Sequence, residues 1–150
     1  MKTLVVILAL LLALFAGVNA FAADAGAVAT IRADKRDCIG CDLSGADLTN
    51  TCVKGGNLTG ANFEGANAVQ MCMSSANFTR VSFRKADLSG ANLSNSKLDG
   101  ADLTGALLEI TSLKGTDLSR AKGLTQAQLD KACGDAATKL PAGLKVKTCL

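Results

Sequence analysis

From Cys41 to Arg120 the chain places one large apolar side chain at every fifth residue, through sixteen consecutive five-residue units with no insertion. The third position of each unit carries it, as Leu43, Leu48, Val53, Leu58 and Phe63 do, with Ala68 the one small exception. The first position is small, mostly Ala, with Thr, Gly or Ser as substitutes and Met71 and Val81 as larger departures. A period of five fits neither the 3.6 of an amphipathic helix nor the 2 of a half-buried strand. A short, strict period instead marks a stacked repeat, in which one unit cannot bury its apolar residue alone and its neighbours complete the core.

The units Ala86-Asp87-Leu88-Ser89-Gly90 and Ala91-Asn92-Leu93 have the form A(D/N)LxG, which resembles the pentapeptide-repeat proteins, and the pattern covers 80 of 150 residues. The resemblance implies an all-β solenoid: a right-handed quadrilateral β-helix of about four coils, first and third positions inward, the other three outward. Residues twenty apart then share a column. The four inner columns are Leu43-Phe63-Phe83-Leu103, Leu48-Ala68-Leu88-Leu108, Val53-Met73-Leu93-Leu113 and Leu58-Phe78-Leu98-Leu118. Three rings, Phe63, Phe78 and Phe83, fall in the two middle coils. Ala68 leaves a gap that the flexible Met71 and Met73 are suited to fill. Outside, Asp47-Asn67-Asp87 sets an amide between two carboxylates, and Glu64 is expected to pair with Arg84 one coil on.

The ends read differently. Residues 1–20 combine Lys2, an apolar run of 13 residues from Leu4 to Ala16, and the small-residue ending Val18-Asn19-Ala20. That is the layout of a secretory signal peptide cleaved after Ala20 or Ala22, and the run is short for a span of about 20 residues. The expected location is periplasmic or secreted, with no stable membrane anchor after cleavage. Residues 21–40 form an N-terminal cap, helical or extended, because an open solenoid end exposes apolar core and unpaired backbone. The phase runs over 41–123 and dissolves at Gly123. Residues 124–150 form a C-terminal cap, with Thr125 and Gln128 as a capping box, a short helix to about Ala132, Gly134 as its stop, and an apolar tail folding back.

Six cysteines in an exported chain point to disulfides. Cys38 and Cys41 are neighbours at the N-terminal mouth and are expected to pair, and Cys133 and Cys149 to pin the tail. Cys52 and Cys72, twenty residues apart, stack in one outward column with Cα atoms about 4.8 Å apart, which permits a third bridge. Cys38-Ile39-Gly40-Cys41 lacks the context of a redox or haem motif: no helix of an α/β domain follows, and Asp42 stands where haem attachment needs His. Zinc would need two more ligands nearby in a chain with 0 histidines.

With 0 histidines and its Asp, Asn and Ser residues accounted for by outward repeat positions, the chain is not expected to be an enzyme or to hold a cofactor. Removing residues 1–20 leaves 15 bases against 13 acids, a net +2, too small an excess to suggest a nucleic-acid or membrane partner. The reading is an exported scaffold or protein-interaction module with an unknown protein partner. Its candidate surface is where the repeat rule breaks, at Val69, Leu107 and Ile110 on one face, although the C-terminal tail is expected to cover Leu107 and Ile110. Two alternatives use other features. The cysteines suggest a redox-sensitive or metal-binding envelope protein. The resemblance extends to family members that mimic DNA and bind DNA gyrase, which the balance of eight acids and seven bases in residues 41–120 disfavours, as does export.

Overall fold

The computed structural model describes residues 23–33 and 36–150. The signal-peptide reading of residues 1–20 lies outside the described residues.

Each five-residue unit makes one side of a square lap. The carbonyl of the third residue accepts from the N–H three residues on, as Leu43 does from Ala46 at 3.1 Å, and closes a turn. From Gly45 to Gly115 the fifth residue takes positive φ, from 55° at Gln70 to 73° at Gly55. Positive φ at the third residue of a turn is the type II requirement, and it explains why Gly and Asn recur there. The second position has its own local reason. In Asp42, Asp47, Asn57, Asn62, Asn77, Asp87, Asn92, Asp102 and Asp117 the side-chain Oδ1 accepts from the backbone N–H two residues on. This Asx turn fixes the corner before any tertiary contact forms.

Laps stack in register. Parallel bridges join residues twenty apart from Asp42↔Asn62 to Asp102↔Lys122. Between laps, Asn62 N–H donates to Cys41 O at 2.8 Å and Leu43 N–H to Asn62 O at 2.8 Å. The inner columns are sealed: Leu43, Phe63, Phe83, Leu88, Leu93 and Leu98 are fully buried, and so are Ala68, Met71 and Met73. The three rings meet, with Phe63–Phe83 centroids 5.1 Å apart, Phe78–Phe83 5.3 Å, and Phe63–Phe78 6.1 Å and edge-on. Inward hydroxyls are satisfied. Ser96 donates to Met73 O at 2.7 Å and Thr111 to Leu88 O at 2.8 Å. A hydroxyl can therefore replace the usual Ala without leaving a buried donor unpaired.

The N-terminal segment is helical: α1, Ala25–Arg32, is capped by the Asp24 side chain accepting from Gly26 N–H, and buries Ala27 and Ile31. The ladder starts before the repeats do. Cys38 N–H donates to Asn57 O at 2.9 Å, and the Asp37 side chain accepts from Asn57 N–H at 2.7 Å. This early rung explains Gly56 at a position normally held by Ala, since a Cβ there would lie 2.0 Å from Arg36 O.

At the other end, α2, Gln126–Leu129, opens with the capping box of Thr125 and Gln128. It is shorter than expected: the chain leaves the helix after Leu129, and Gly134 lies in a strand instead of stopping a helix. Strands β1, Cys133–Gly134, and β2, Lys147–Thr148, pair in parallel. The ladder thus continues beyond the regular repeat, through Ser112↔Cys133 and Asp117↔Lys139 at spacings of 21 and 22 in place of 20. Gln128 holds α2 to the preceding lap, its amide donating to Leu103 O at 2.8 Å and Ala106 O at 2.9 Å.

Charged side chains on the outside of the laps pair along the ladder, but Arg84 departs from the expected partner. Arg84 pairs with Asp102 at 3.2 Å, on the diagonal, and not with Glu64 above it. Asp102 already stands as an Asx-turn acceptor with a fixed carboxylate, so the guanidinium finds an oriented partner there. Hydrogen bonds from the Thr49 hydroxyl and N–H hold the Asp47 carboxyl below its ordinary value, and Ser119 does the same for Asp117. Groups with lowered folded-state pKa contribute stability that is present above the unfolded value near 4 and is lost as pH falls through the folded values. The melting temperature is accordingly expected to stay level between about pH 7 and 5 and to drop below about pH 4. A melting series in which stability rises on acidification through that window would contradict the Asx-turn account.

Candidate functional site

All six cysteines are bridged, the two expected pairs and the third that the stacking of Cys52 on Cys72 permits. Cys38–Cys41 spans Cα atoms 5.4 Å apart, Cys52–Cys72 4.4 Å and Cys133–Cys149 4.8 Å. Cys38 is buried and Cys41 half-buried at the mouth below α1. Cys52–Cys72 joins two outward positions of one ladder, and Cys133–Cys149 joins the β1–β2 pair at that ladder's other end. The same face therefore carries two of the three bridges.

The apolar positions that break the outward rule behave unequally. Val69 is half-buried. Its coil lies two rungs from that of Ile110, a separation of about 10 Å along the rod. Leu107 is 47% exposed and Ile110 84% exposed, so the tail does not cover them as expected. The reason is the path of the chain: residues 133–139 are drawn into ladder rungs over Ser112 and Asp117, on the next side of the square and the one beyond it. Leu107 lines a small hollow of about 120 Å³ with Ala127, Gln128 and Lys131. Ile110 lines a larger one of about 530 Å³ with Cys133, Lys147, Thr148, Cys149 and Leu150. The structure thus groups Ile110 with the C-terminal strands and separates it from Val69.

Ile110 stands out a second time. It adopts φ 59°, in the left-handed region, while the equivalent residue of its own column is Asn50, Gln70 or Gly90. A β-branched residue there pays a steric cost that Gly and Asn avoid. One residue therefore carries both backbone strain and exposed apolar surface. Ile110→Asn is expected to raise stability by about 1 kcal/mol, measured by denaturant titration. A loss of stability would mean that Ile110 packs against something it does not touch here. The strained apolar Ile was visible in sequence as a broken fifth position, but its grouping with Leu150 was not, because the tail has no repeat phase to place it.

Electrostatics at this end are local. Lys131 pairs with Glu109, whose carboxyl is held below its ordinary value by that contact. The Gly115 N–H lowers the Asp135 carboxyl in the same way. Among the described residues no group of three or more Asp, Glu and Cys side chains is placed to hold a metal ion, and no helix is long and apolar enough to cross a membrane.

Comparison with known proteins places this geometry. The family model described as pentapeptide repeats matches in eight copies, over residues 41–80, 72–109, 86–122 and 96–133. Comparison with curated protein sequences returns no match. Among solved structures, full-length QnrB1, described as a plasmid-mediated fluoroquinolone resistance protein, aligns over 74% of this chain and 79% of its own at 17% identity and TM-score 0.50. That likeness is one of fold, the right-handed quadrilateral β-helix. The pentapeptide repeat protein alr5209 from Nostoc Pcc 7120 is 30% identical over 82% of this chain and 88% of its own, with TM-score 0.29. A pentapeptide repeat protein, Rfr23, from the cyanobacterium Cyanothece 51142 is 23% identical over 71% of this chain and 92% of its own, with TM-score 0.39. With its i, i+20 ladder, its Asx-turn corners and a family model matching well over half its length, the chain belongs to the pentapeptide repeat family.

Proposed function

We propose that the protein is an exported, non-catalytic scaffold or protein-interaction module of the envelope, periplasmic or secreted. In this reading a leader of residues 1–20 is removed. About four coils form the rod, closed by an N-terminal cap over residues 21–40 and a C-terminal cap over 124–150. The observation that carries it is the combination of a signal-like leader with six cysteines engaged in three bridges. Such bridges form and persist in oxidising compartments. The interaction part rests on Ile110 and Leu107, apolar side chains turned to solvent on a rod whose outward positions are mostly polar.

The test is fractionation of the source cells with N-terminal sequencing of the recovered protein, and thiol titration without reductant. A mature chain starting at Phe21 or Ala23 with fewer than one free thiol per molecule is the expected result. An intact Met1 in the cytosol with reactive thiols would overturn export and restore the redox-sensitive alternative.

A further inference from the structure

We propose that the open edge of β2 with the hollow beside Ile110 is a docking site for an extended, acidic segment of a partner protein, which adds a further strand to the ladder. The proposal rests on the interaction-module reading above and gives it a place and a chemistry.

One ladder runs the length of the rod, Cys52↔Cys72↔Asn92↔Ser112↔Cys133, and β2 adds the last rung through Cys133↔Lys147. Among the described residues nothing pairs with the far side of β2. In a parallel ladder alternate residues point their backbone groups to opposite neighbours. Cys149 N–H is committed to Gly134 O at 2.9 Å, so the N–H and C=O of Thr148 face the open side. An edge of this kind is a template for strand addition. The bridge to Cys133 holds it in place.

Beside the edge lies apolar floor. Ile110 and the fully exposed Leu150 both line the hollow of about 530 Å³, with the edge residues Lys147 and Thr148. A strand laid along Thr148 would set alternate side chains over that floor.

Charge selects the occupant. Residues 121–150 hold five lysines, at 122, 131, 139, 145 and 147, against Asp130 and Asp135, a net +3. Residues 41–120 have eight acids and seven bases, a net −1, so the excess positive charge of the molecule is concentrated at this end. Lys147 and Lys131 line the hollow itself, and no carboxylate of the described residues lies within 4 Å of the Lys147 ammonium. Lysine on an edge can also serve only to repel other strands. That role alone leaves unexplained why a strained, exposed isoleucine sits next to it.

The probe is a blocked hexapeptide of alternating valine and glutamate, titrated into the oxidised full chain and followed by amide chemical shifts; its counterpart replaces glutamate by lysine. Shifts at Thr148, Leu150 and Ile110 with the acidic peptide, and weaker or no shifts with the basic one, are expected. Lys147→Glu is expected to weaken the acidic peptide about fivefold, as attraction becomes repulsion. Ile110→Asn is expected to weaken the acidic peptide while leaving the fold intact by melting. Equal binding of the two peptides, or no shift at millimolar peptide, overturns the proposal. A concentration-dependent dimer that broadens the same amides would overturn it in favour of a second copy of this chain. Each of these outcomes is independent of fractionation and thiol titration, so failure here leaves the export reading standing.

Discussion

Phe83→Ala is expected to destabilise the solenoid by about 3 to 5 kcal/mol, the largest effect of any single side chain in the core. Phe83 is fully buried and touches both other rings, with centroids 5.1 Å from Phe63 and 5.3 Å from Phe78. Removing it deletes one ring and unpacks two. The cavity is expected to stay open, because collapse would require the walls to move inward. Those walls are laps fixed to their neighbours by hydrogen bonds such as Phe63 N–H to Ser82 O at 2.7 Å and Phe83 N–H to Asp102 O at 2.8 Å. Position along the rod adds to the effect. In a stacked repeat each lap is stabilised by its nearest neighbours. A defect in a middle lap therefore weakens two interfaces, whereas Leu118, near the end of the repeats, contributes to fewer. Denaturant unfolding monitored by circular dichroism checks this: Phe83→Ala should lower the midpoint much further than Leu118→Ala. A lower slope would additionally show that the two halves of the rod now unfold separately. A midpoint within error of the parent would mean that the three-ring cluster does not hold the laps together.

The core was legible in the sequence because its rule is one of counting. Once twenty residues make a lap, Phe63 and Phe83 must share a column and Cys52 and Cys72 must stack, and the rungs Asp42↔Asn62 and Cys52↔Cys72 follow the same count. Gly56 shows where counting stops. Its lack of a side chain looks like drift from Ala, yet it makes room for Arg36 O, a contact set by a rung that precedes the first recognisable unit. The Asx turns carried a local signal, Asp or Asn followed two residues later by Ser or Thr. Polar side chains at an outward position are also what solvent exposure alone favours, so polarity there does not single out the turn. The cap was the least legible part. With spacings of 21 and 22 and a helix inserted, residues 124–150 keep the ladder but lose the period. No count therefore assigns Leu150 to the side of Ile110, and the exposure of Ile110 follows only from where the rungs over Ser112 and Asp117 draw the tail.

Replacing Cys133 and Cys149 together by Ser is expected to free the tail, with a loss of about 3 kcal/mol if cap and rod unfold as one unit. The bridge closes a loop of sequence separation 16. The other contacts of its far end are the two-residue pairing of β1 with β2, the Gln126 side chain, which donates to Lys145 O at 2.9 Å and accepts from Lys145 N–H at 3.1 Å, and the packing of the half-buried Leu140, Leu144 and Val146 against the core. The rungs below Lys122 do not depend on these contacts. Local opening is therefore cheaper than global unfolding, and the full 3 kcal/mol should not appear in the melting of the rod. It should appear as proteolysis. Trypsin sites at Lys145 and Lys147 lie in the region released, while Lys139 stays in the rung over Asp117 and Lys97 and Lys114 lie within the laps. Cleavage at the two tail sites is expected to accelerate by about tenfold to a hundredfold, as an opening free energy falls by 1.4 to 3 kcal/mol, with the laps resistant. The same variant should lose the acidic-peptide shifts, because a detached β2 presents no ordered edge. If the laps were cleaved as fast as the tail, the bridge would be holding the whole rod and not its last rung; if neither were cleaved faster, the packing of Leu140, Leu144 and Val146 would hold the tail without the bridge.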